Sequence, residues 1–412
     1  MTSIIKKAYN LIGFLHFAGN KEKIRELAKK TVAILEIGSS KVSCVIGSRG
    51  VNSTLDILGY SQVPYAGFME GEFLEPDALK DVVSQAVTAA ETEAQRYITH
   101  MYVGVPAEFS MVEVRSAGVT YKKRKKLTEF DIDDLFDSVD TFKSHTTHVV
   151  VNRCPIFFEL DDKSKVVDPT GWVTGSINAT LSFVLAEREF VKMLTKLLAP
   201  MSIANIEFIS EPLASSMFVV EAEDRDESAI LVDCGYITTS VSVVMGDGLA
   251  GLYSFSLGGG HIAADLYKCM ELPFNASESL KRKVVLNTLP DKDDCYELND
   301  SGEIKKIEAK QANDVVIARI EQICDIINEC ILNSGIDYPE NTALLLAGGG
   351  ISYIPGAKDY LSQKTGRQVS IAAPNLPLLN KPHLSAPLGL LNLALNQPIK
   401  VKLSIVKLFN KK

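Results

Sequence analysis

Two segments of this 412-residue chain repeat one pattern. Residues 33–47 read A-I-L-E-I-G-S-S-K-V-S-C-V-I-G, and residues 229–246 read A-I-L-V-D-C-G-Y-I-T-T-S-V-S-V-V-M-G. Each is an apolar run, an acid, one further residue, a glycine, a small polar turn, and a second apolar run interrupted by Ser or Thr. A duplicated unit constrains the fold more than any local pattern does. Here it predicts two α/β halves, each opened by a hairpin whose turn offers backbone N–H groups and hydroxyls to an anion. Two such turns facing each other can grip a polyphosphate. The acids Glu36 and Asp233 suit a hydrated Mg²⁺, a hard cation that keeps several waters while bridging phosphates.

The remaining periodicity fits this scheme. Amphipathic helical patterns run over 76–97, 186–198, 261–270 and 312–332. Residues 100–172 have a different texture: strands at Met101–Val105 and Ser116–Tyr121, an acidic helix at Glu129–Val139, and a strand at His148–Leu160. They predict a small inserted α+β domain. Residues 287–308 are polar and predict an exposed excursion. A dinucleotide-type fingerprint, Gly246-Asp247-Gly248-Leu249-Ala250-Gly251, is rejected, because Leu252–Leu257 alternates as a strand and leaves no helix N-terminus for a pyrophosphate. The chain carries neither a G-x-x-x-x-G-K-[ST] loop nor a G-x-S-x-G elbow.

Composition narrows the function classes. With 46% hydrophobic and 23% charged residues the chain can build large cores. No run reaches the roughly 18 apolar residues of a membrane span. Seven scattered cysteines without a C-x-x-C pair predict reduced thiols and a cytoplasmic setting. His145 and His148 are the only close histidine pair and lack nearby partners for zinc. The formal charge of −8 is uneven: residues 1–30 carry seven basic side chains against Glu22 and Glu26, and residues 399–412 carry five lysines and no acid. The acidic body between them repels nucleic acid. The basic, apolar ends, with Ile4, Leu11, Phe14 and Phe17 at one and Val401, Leu403, Ile405 and Phe409 at the other, suit an anionic membrane surface. Lys122–Lys126 reads as a solvated hairpin tip.

Further motifs stand in order along the chain: E-I-G-S-S-K-V at 36–42, I-L-G-Y-S-Q-V-P-Y-A-G-F-M-E-G at 57–71, H-V-V-V-N-R-C-P-I-F-F-E-L-D at 148–161 with D-P-T-G at 168–171, E-P-L-A-S-S at 211–216, D-C-G-Y-I-T-T at 233–239, L-G-G-G-H-I at 257–262, E-S-L-K at 278–281, and L-A-G-G-G-I-S-Y-I-P-G at 346–356. This set resembles the actin-like ATPases, and within them the FtsA cell-division family, over about residues 31–396. The resemblance implies an actin-like, duplicated ribonuclease-H-type, two-lobed α/β fold with an inserted 1C-type (SHS2-like) subdomain. Its parts would be a basic amphipathic extension at 1–30, subdomain 1A at 31–99 and 173–207, 1C at 100–172, 2A at 208–262 and 331–396, 2B at 263–330, and a basic apolar tail at 397–412.

The same resemblance implies ATP and Mg²⁺ as ligands. Gly38, Ser39, Ser40 and Lys41 would form the first phosphate loop, and Gly235, Tyr236, Thr238 and Thr239 the second. Gly258 and Gly259 would join them, Glu278 and Lys281 would flank ribose and base, and Gly348, Gly349 and Gly350 would form the adenosine loop. Glu36 and Asp233 would hold the metal through water, and Glu211 and Asp233 would serve catalysis. The implied role is a filament-forming tether at the cytoplasmic face of the membrane. It would bind the C-terminal peptide of the tubulin-like protein FtsZ through subdomain 2B and recruit other division proteins, without nucleic acid. The alternative is a PilM-like platform that binds a peptide of an inner-membrane partner. Four departures bear on hydrolysis: Glu36 for Asp, Tyr236 at a glycine position, Ser240 for a second Asp, and Gly260 for an acid. They imply ATP binding with weak or absent turnover.

Overall fold

The computed structural model describes residues 30–397 except 70, 202, 301, 302, 337, 340 and 341. The basic N-terminal extension and the lysine-rich tail expected to be amphipathic lie outside the described residues, apart from Lys30 and Gln397. Among the described residues, no helix is long and apolar enough to cross a membrane.

The first half opens with β1 (Thr31–Ile37), β2 (Lys41–Arg49), β3 (Leu55–Pro64), α1 (Pro76–Ala94) and β4 (His100–Val105). β1 reads as a nearly unbroken apolar run because both its faces are covered. Ala33, Leu35 and Ile37 cluster with Leu79, Val83, Ala86 and Ala90 of α1, while Val32 and Ile34 face Leu390, Leu391 and Ala394 from the far end of the chain. The period of two in β1 thus meets the period of 3.6 in α1. Each large aliphatic side chain buried in this way contributes about 1.5–3 kcal/mol, more than the marginal stability of an isolated helix of this length.

The chain then leaves the sheet. β5 (Ser110–Lys126), α2 (Glu129–Val139), β6 (His148–Leu160) and β7 (Val173–Glu187) form a separate unit, with β7 paired antiparallel to both β5 and β6. Phe136, Phe158, Leu160, Ile177, Leu181 and Phe183 fill its core, and Thr128 with Asp131 makes a capping box at the start of α2. These pairings move the boundaries drawn from sequence. β4 belongs to the first sheet, and β7, assigned from sequence to the surrounding domain, is the central strand of the insert. Ala186 and Glu187 also stay in β7, paired with Val149 and His148, so the next helix, α3 (Arg188–Leu198), starts later than its apolar pattern suggests. Lys122–Lys126 is the end of β5 rather than a hairpin tip. Lys125 and Lys126 pair with Thr174 and Val173 beside a register break, and their side chains remain in water.

β8 (Asn205–Ser210) returns to the first sheet, whose order is β8-β4-β1-β2-β3. The second half repeats this plan after α4 (Glu211–Val219). It runs β9 (Ala229–Cys234), β10 (Thr239–Met245), β11 (Gly248–Phe255), α5 (Gly259–Met270), α6 (Phe274–Lys281), β12 (Cys295–Asp300), β13 (Glu303–Glu308), α7 (Ala309–Asn333), β14 (Leu344–Ala347), α8 (Ala357–Thr365), β15 (Val369–Ile371) and α9 (Ser385–Asn396). Its sheet order, β11-β10-β9-β14-β15, matches the first sheet strand for strand, with three antiparallel strands followed by two added in parallel. Ile230, Val232 and Cys234 pack toward Ile262, Leu266 and Ile320, while Leu231 clusters with Leu213 of α4. The polar excursion expected at 287–308 is the β12–β13 hairpin. Gly246-Asp247 is the hairpin turn between β10 and β11, with Met245 opposite Gly248 and Gly246 at φ +55.

Candidate functional site

The two repeated hairpins meet. In the first, Gly38 N–H donates to the Lys41 carbonyl at 2.9 Å, and in the second Gly235 N–H donates to the Thr238 carbonyl at 2.8 Å. Each acid lies opposite a serine, Glu36 with Ser43 and Asp233 with Ser240. Across the gap, Ile237 N–H donates to Ser39 Oγ at 3.0 Å. The glycine loops hang from the second turn: Gly259 N–H bonds the Gly235 carbonyl at 3.0 Å, Gly260 N–H the Tyr236 carbonyl at 2.6 Å, and Gly350 N–H the Cys234 carbonyl at 2.8 Å. Gly348 has φ +78, and a side chain there would strike the Cys234 carbonyl and the Asp233 carboxylate, so only glycine suits the position.

Between the halves lies a cavity of about 620 Å³, within the usual range for a small-molecule site. Of the residues singled out from sequence, Glu36, Gly38, Ser39, Ser40, Lys41, Glu211, Asp233, Gly235, Tyr236, Thr238, Glu278, Lys281, Gly348, Gly349 and Gly350 line it. Thr239, Gly258 and Gly259 do not. Thr239 is buried, with its hydroxyl donating to the Leu257 carbonyl at 2.6 Å, and Gly258 and Gly259 pack behind the second turn against Tyr236 and Gly350. Their part is to hold the loops and not to face a ligand. Tyr236 is absent from the residues with positive φ, so a side chain at this glycine position brings no left-handed backbone strain.

The cavity lining carries both signs of charge. Glu36, Glu108, Glu211 and Asp233 form a cluster of acids that act on one another. Burial first, then the charges of Glu36 and Glu108, push the Asp233 carboxyl up to about 7. Burial and the neighbouring acids hold Glu211 well above the ordinary carboxylate range, and burial raises Glu36 and Glu108. Glu36 Oε2 and Glu211 Oε2 are buried without a hydrogen-bond partner. Lys41, Lys281, Arg282, Lys381 and His383 line it too, with Lys41 acting on Glu36 as well. Lys281 is 2% exposed. Its ammonium donates to the Gly259 carbonyl at 3.0 Å and to Glu278 at 2.8 Å, and burial lowers its pKa. His383 accepts from or donates to the Tyr353 hydroxyl at 2.6 Å. Burial, then Lys41, Lys381 and Arg282, depress it to about 4.

This lining fits a nucleoside polyphosphate: cations and backbone N–H groups for the phosphates, glycines where the ligand lies against backbone. It also fits a hydrated divalent cation, because unpartnered, mutually repelling carboxyl oxygens call for a positive charge between them. Among the described residues, no three His, Cys, Asp or Glu side chains come close enough to ligate a metal directly, so such an ion would keep its waters. His145 and His148 face each other with ring centroids 5.2 Å apart and have no third ligand. Sequence reasoning missed Glu108, Arg282, Tyr353, Lys381 and His383. For Glu108 a signal existed: it follows the carboxyl end of β4, where open α/β sheets place their ligands. Tyr353 lies inside the 346–356 motif and Arg282 directly follows E-S-L-K, but nothing in either pattern marks the side chain; Lys381 and His383 stand outside any motif.

The duplicated sheets, the inserted unit and the cleft between the halves define an actin-like, two-lobed ATPase-type fold. Solved structures agree. The chain is similar to PilM in the PilM–PilN type IV pilus biogenesis complex (TM-score 0.59, 17% identity, 89% of this chain and 99% of that one) and to the MamK double helical filament (TM-score 0.52, 14% identity, 89% and 99%). By sequence the chain is similar to FtsA proteins. A family profile described as cell division protein FtsA matches residues 230–389. The cell division protein FtsA of Neisseria meningitidis serogroup B is 23% identical over 90% of this chain and 91% of its own length, and that of Escherichia coli K12 is 21% identical over 90% and 91%.

Proposed function

We propose that this chain binds ATP with Mg²⁺ in the cleft between its halves and acts as an FtsA-like tether. It would polymerise at the cytoplasmic face of the membrane, hold FtsZ there and recruit later division proteins. The observation that carries the reading is the meeting of the two repeated turns, Ser39 against Ile237, over one cavity lined by both acids and cations. Its relatives named as cell division proteins supply the cellular role.

Lys41 and the backbone N–H groups of both turns would hold the β- and γ-phosphates, and Lys281 with Glu278 would flank the ribose. The cation, held through water by Glu36 and Asp233, would neutralise charge on the phosphates. Glu211 would orient a water; burial and the neighbouring acids hold its carboxyl above the ordinary carboxylate range. Nucleotide would bias closure by bridging groups from both halves. A likeness to a filament-forming protein supports self-association. Tyr267 and Phe274, 53% and 42% exposed with ring centroids 6.3 Å apart, supply an apolar landing for a partner peptide in the 263–330 region. The basic ends, residues 1–30 and 399–412, would contact the membrane surface.

Liposome flotation of the full chain, with and without ATP and FtsZ, tests the role. The tether reading expects the protein to float on anionic vesicles and bring FtsZ with it. ATP binding without FtsZ recruitment would overturn that role and favour the platform that binds a peptide of an inner-membrane partner.

A further inference from the structure

We infer that Glu108 is a further residue of this site: its carboxylate reaches from the first half toward the second turn and joins Glu36, Glu211 and Asp233 in receiving a hydrated divalent cation beside the phosphates. The inference rests on the nucleotide-binding reading above.

Glu108 lies in a short helical turn, Ala107–Phe109, between β4 and β5. That turn is firmly held. Phe109 is 7% exposed and stacks on Phe190 at 4.4 Å and on Phe73 at 5.6 Å between centroids, and Ser110 Oγ donates to the Pro106 carbonyl at 2.8 Å. With its neighbour anchored in this aromatic cluster, the Glu108 side chain is directed into the cavity, whose lining includes Thr238 of the second turn.

An independent observation points to a ligand between these acids. Glu36 is 7% exposed, lines the same cavity, and its Oε2 has no partner. Burying a carboxylate oxygen without a hydrogen-bond donor is costly, and Glu36, Glu108, Glu211 and Asp233 line one cavity, with the charge of Lys41 offsetting only part of theirs. A divalent cation placed among them would relieve repulsion from both halves at once. Since no three of these groups approach closely enough for direct ligation, Glu108 would hold the ion's water shell.

The test uses the full-length chain and a fluorescent ATP analogue, titrated with Mg²⁺ and again in the presence of a chelator, for the native protein, Glu108→Gln and Glu108→Asp. Mn²⁺ bound in the presence of ATP is followed separately by paramagnetic resonance. The native protein should bind the analogue more tightly with Mg²⁺. Glu108→Gln should lose about tenfold of that enhancement, bind Mn²⁺ correspondingly more weakly, and bind the metal-free analogue as well as or better than the native chain. Glu108→Asp, which keeps the charge, should retain most of the enhancement. An undiminished Mg²⁺ enhancement and Mn²⁺ affinity in Glu108→Gln would overturn the inference while leaving nucleotide binding intact. A native protein that binds no nucleotide under either condition would overturn both.

Discussion

The ring of Tyr236 occupies the volume that a side chain at Gly260 would need. A Cβ built on Gly260 would lie 2.9 Å from Cε1 and from Cζ of the ring and 2.9 Å from the Tyr236 carbonyl oxygen. The Tyr236 ring and a side chain at Gly260 therefore compete for one volume. Gly260→Asp should destabilise the protein by about 1–3 kcal/mol through overpacking. Adding Tyr236→Gly should restore part of the loss, with a coupling of at least about 0.5 kcal/mol. Thermal midpoints of the two single variants and the double variant measure this, and additive effects would contradict a shared volume.

His383 should titrate far below an ordinary histidine. Its pKa of about 4 follows from burial and from the facing charges of Lys41, Lys381 and Arg282, so the native state holds fewer protons than the unfolded chain between about pH 4 and 6.5. Its contribution to stability is present above the unfolded value and is lost as pH falls toward 4. A polyphosphate placed among the same cations would offset their field and raise this pKa. The imidazole resonances of His383, followed by NMR, should show a midpoint near 4 without ATP and a higher one with it.

Lys281 is the buried cation on which the α5 and α6 ends converge. Replacing it by Met removes the donor to the Gly259 carbonyl and strips Glu278 of its nearer partner, leaving Arg282 at 3.1 Å. Loss of the donor to a buried carbonyl should cost roughly 1–3 kcal/mol. ATP affinity should fall about tenfold, the equivalent of one charge-assisted bond. Calorimetric titration checks the affinity, with the melting curve confirming a folded variant.

The two ends of the described chain are tied together. The Lys30 ammonium donates to the carbonyls of Ala394 at 2.9 Å and Leu395 at 3.2 Å, and to that of Gln397, capping the C-terminus of α9 as a cation should. Lys30 and Gln397, the described residues next to the basic segments 1–29 and 398–412, therefore lie side by side. Deleting either segment should weaken flotation on anionic vesicles, deleting both should abolish it, and raised salt should mimic the deletions. Unchanged flotation after both deletions would contradict this.

Much of the architecture could be read from residues 33–47 and 229–246, because a repeated strand-turn-strand with an acid before the turn leaves few ways to bury its apolar runs. The sheets match strand for strand as that repeat requires. The edges of the insert were not legible. β4 and β7 have the same texture as their neighbours, and only pairing decides which sheet each one joins. Within the site, contiguous motifs led to the two turns and the glycine loops. They could not distinguish Gly349, which faces the cavity, from Gly259, which packs against Gly350, since both are glycines chosen for close approach. Glu108, Lys381 and His383 come from separate connections, and their meeting is a product of the duplicated fold and not of local sequence.

The central claim is that one nucleotide occupies the cleft between the halves. Gly349 provides the most direct test, because a Cβ there would meet only His383 Cβ at 3.3 Å and Tyr353 Cε2 at 3.6 Å, so Gly349→Leu should fill the cavity without breaking the fold. Calorimetric titration of the full-length protein with Mg²⁺ and ATP should give one saturable site, and Gly349→Leu, with an unchanged melting temperature in the absence of nucleotide, should lose it. The absence of ATP binding by the native chain, or full binding by the folded Gly349→Leu variant, would contradict the account.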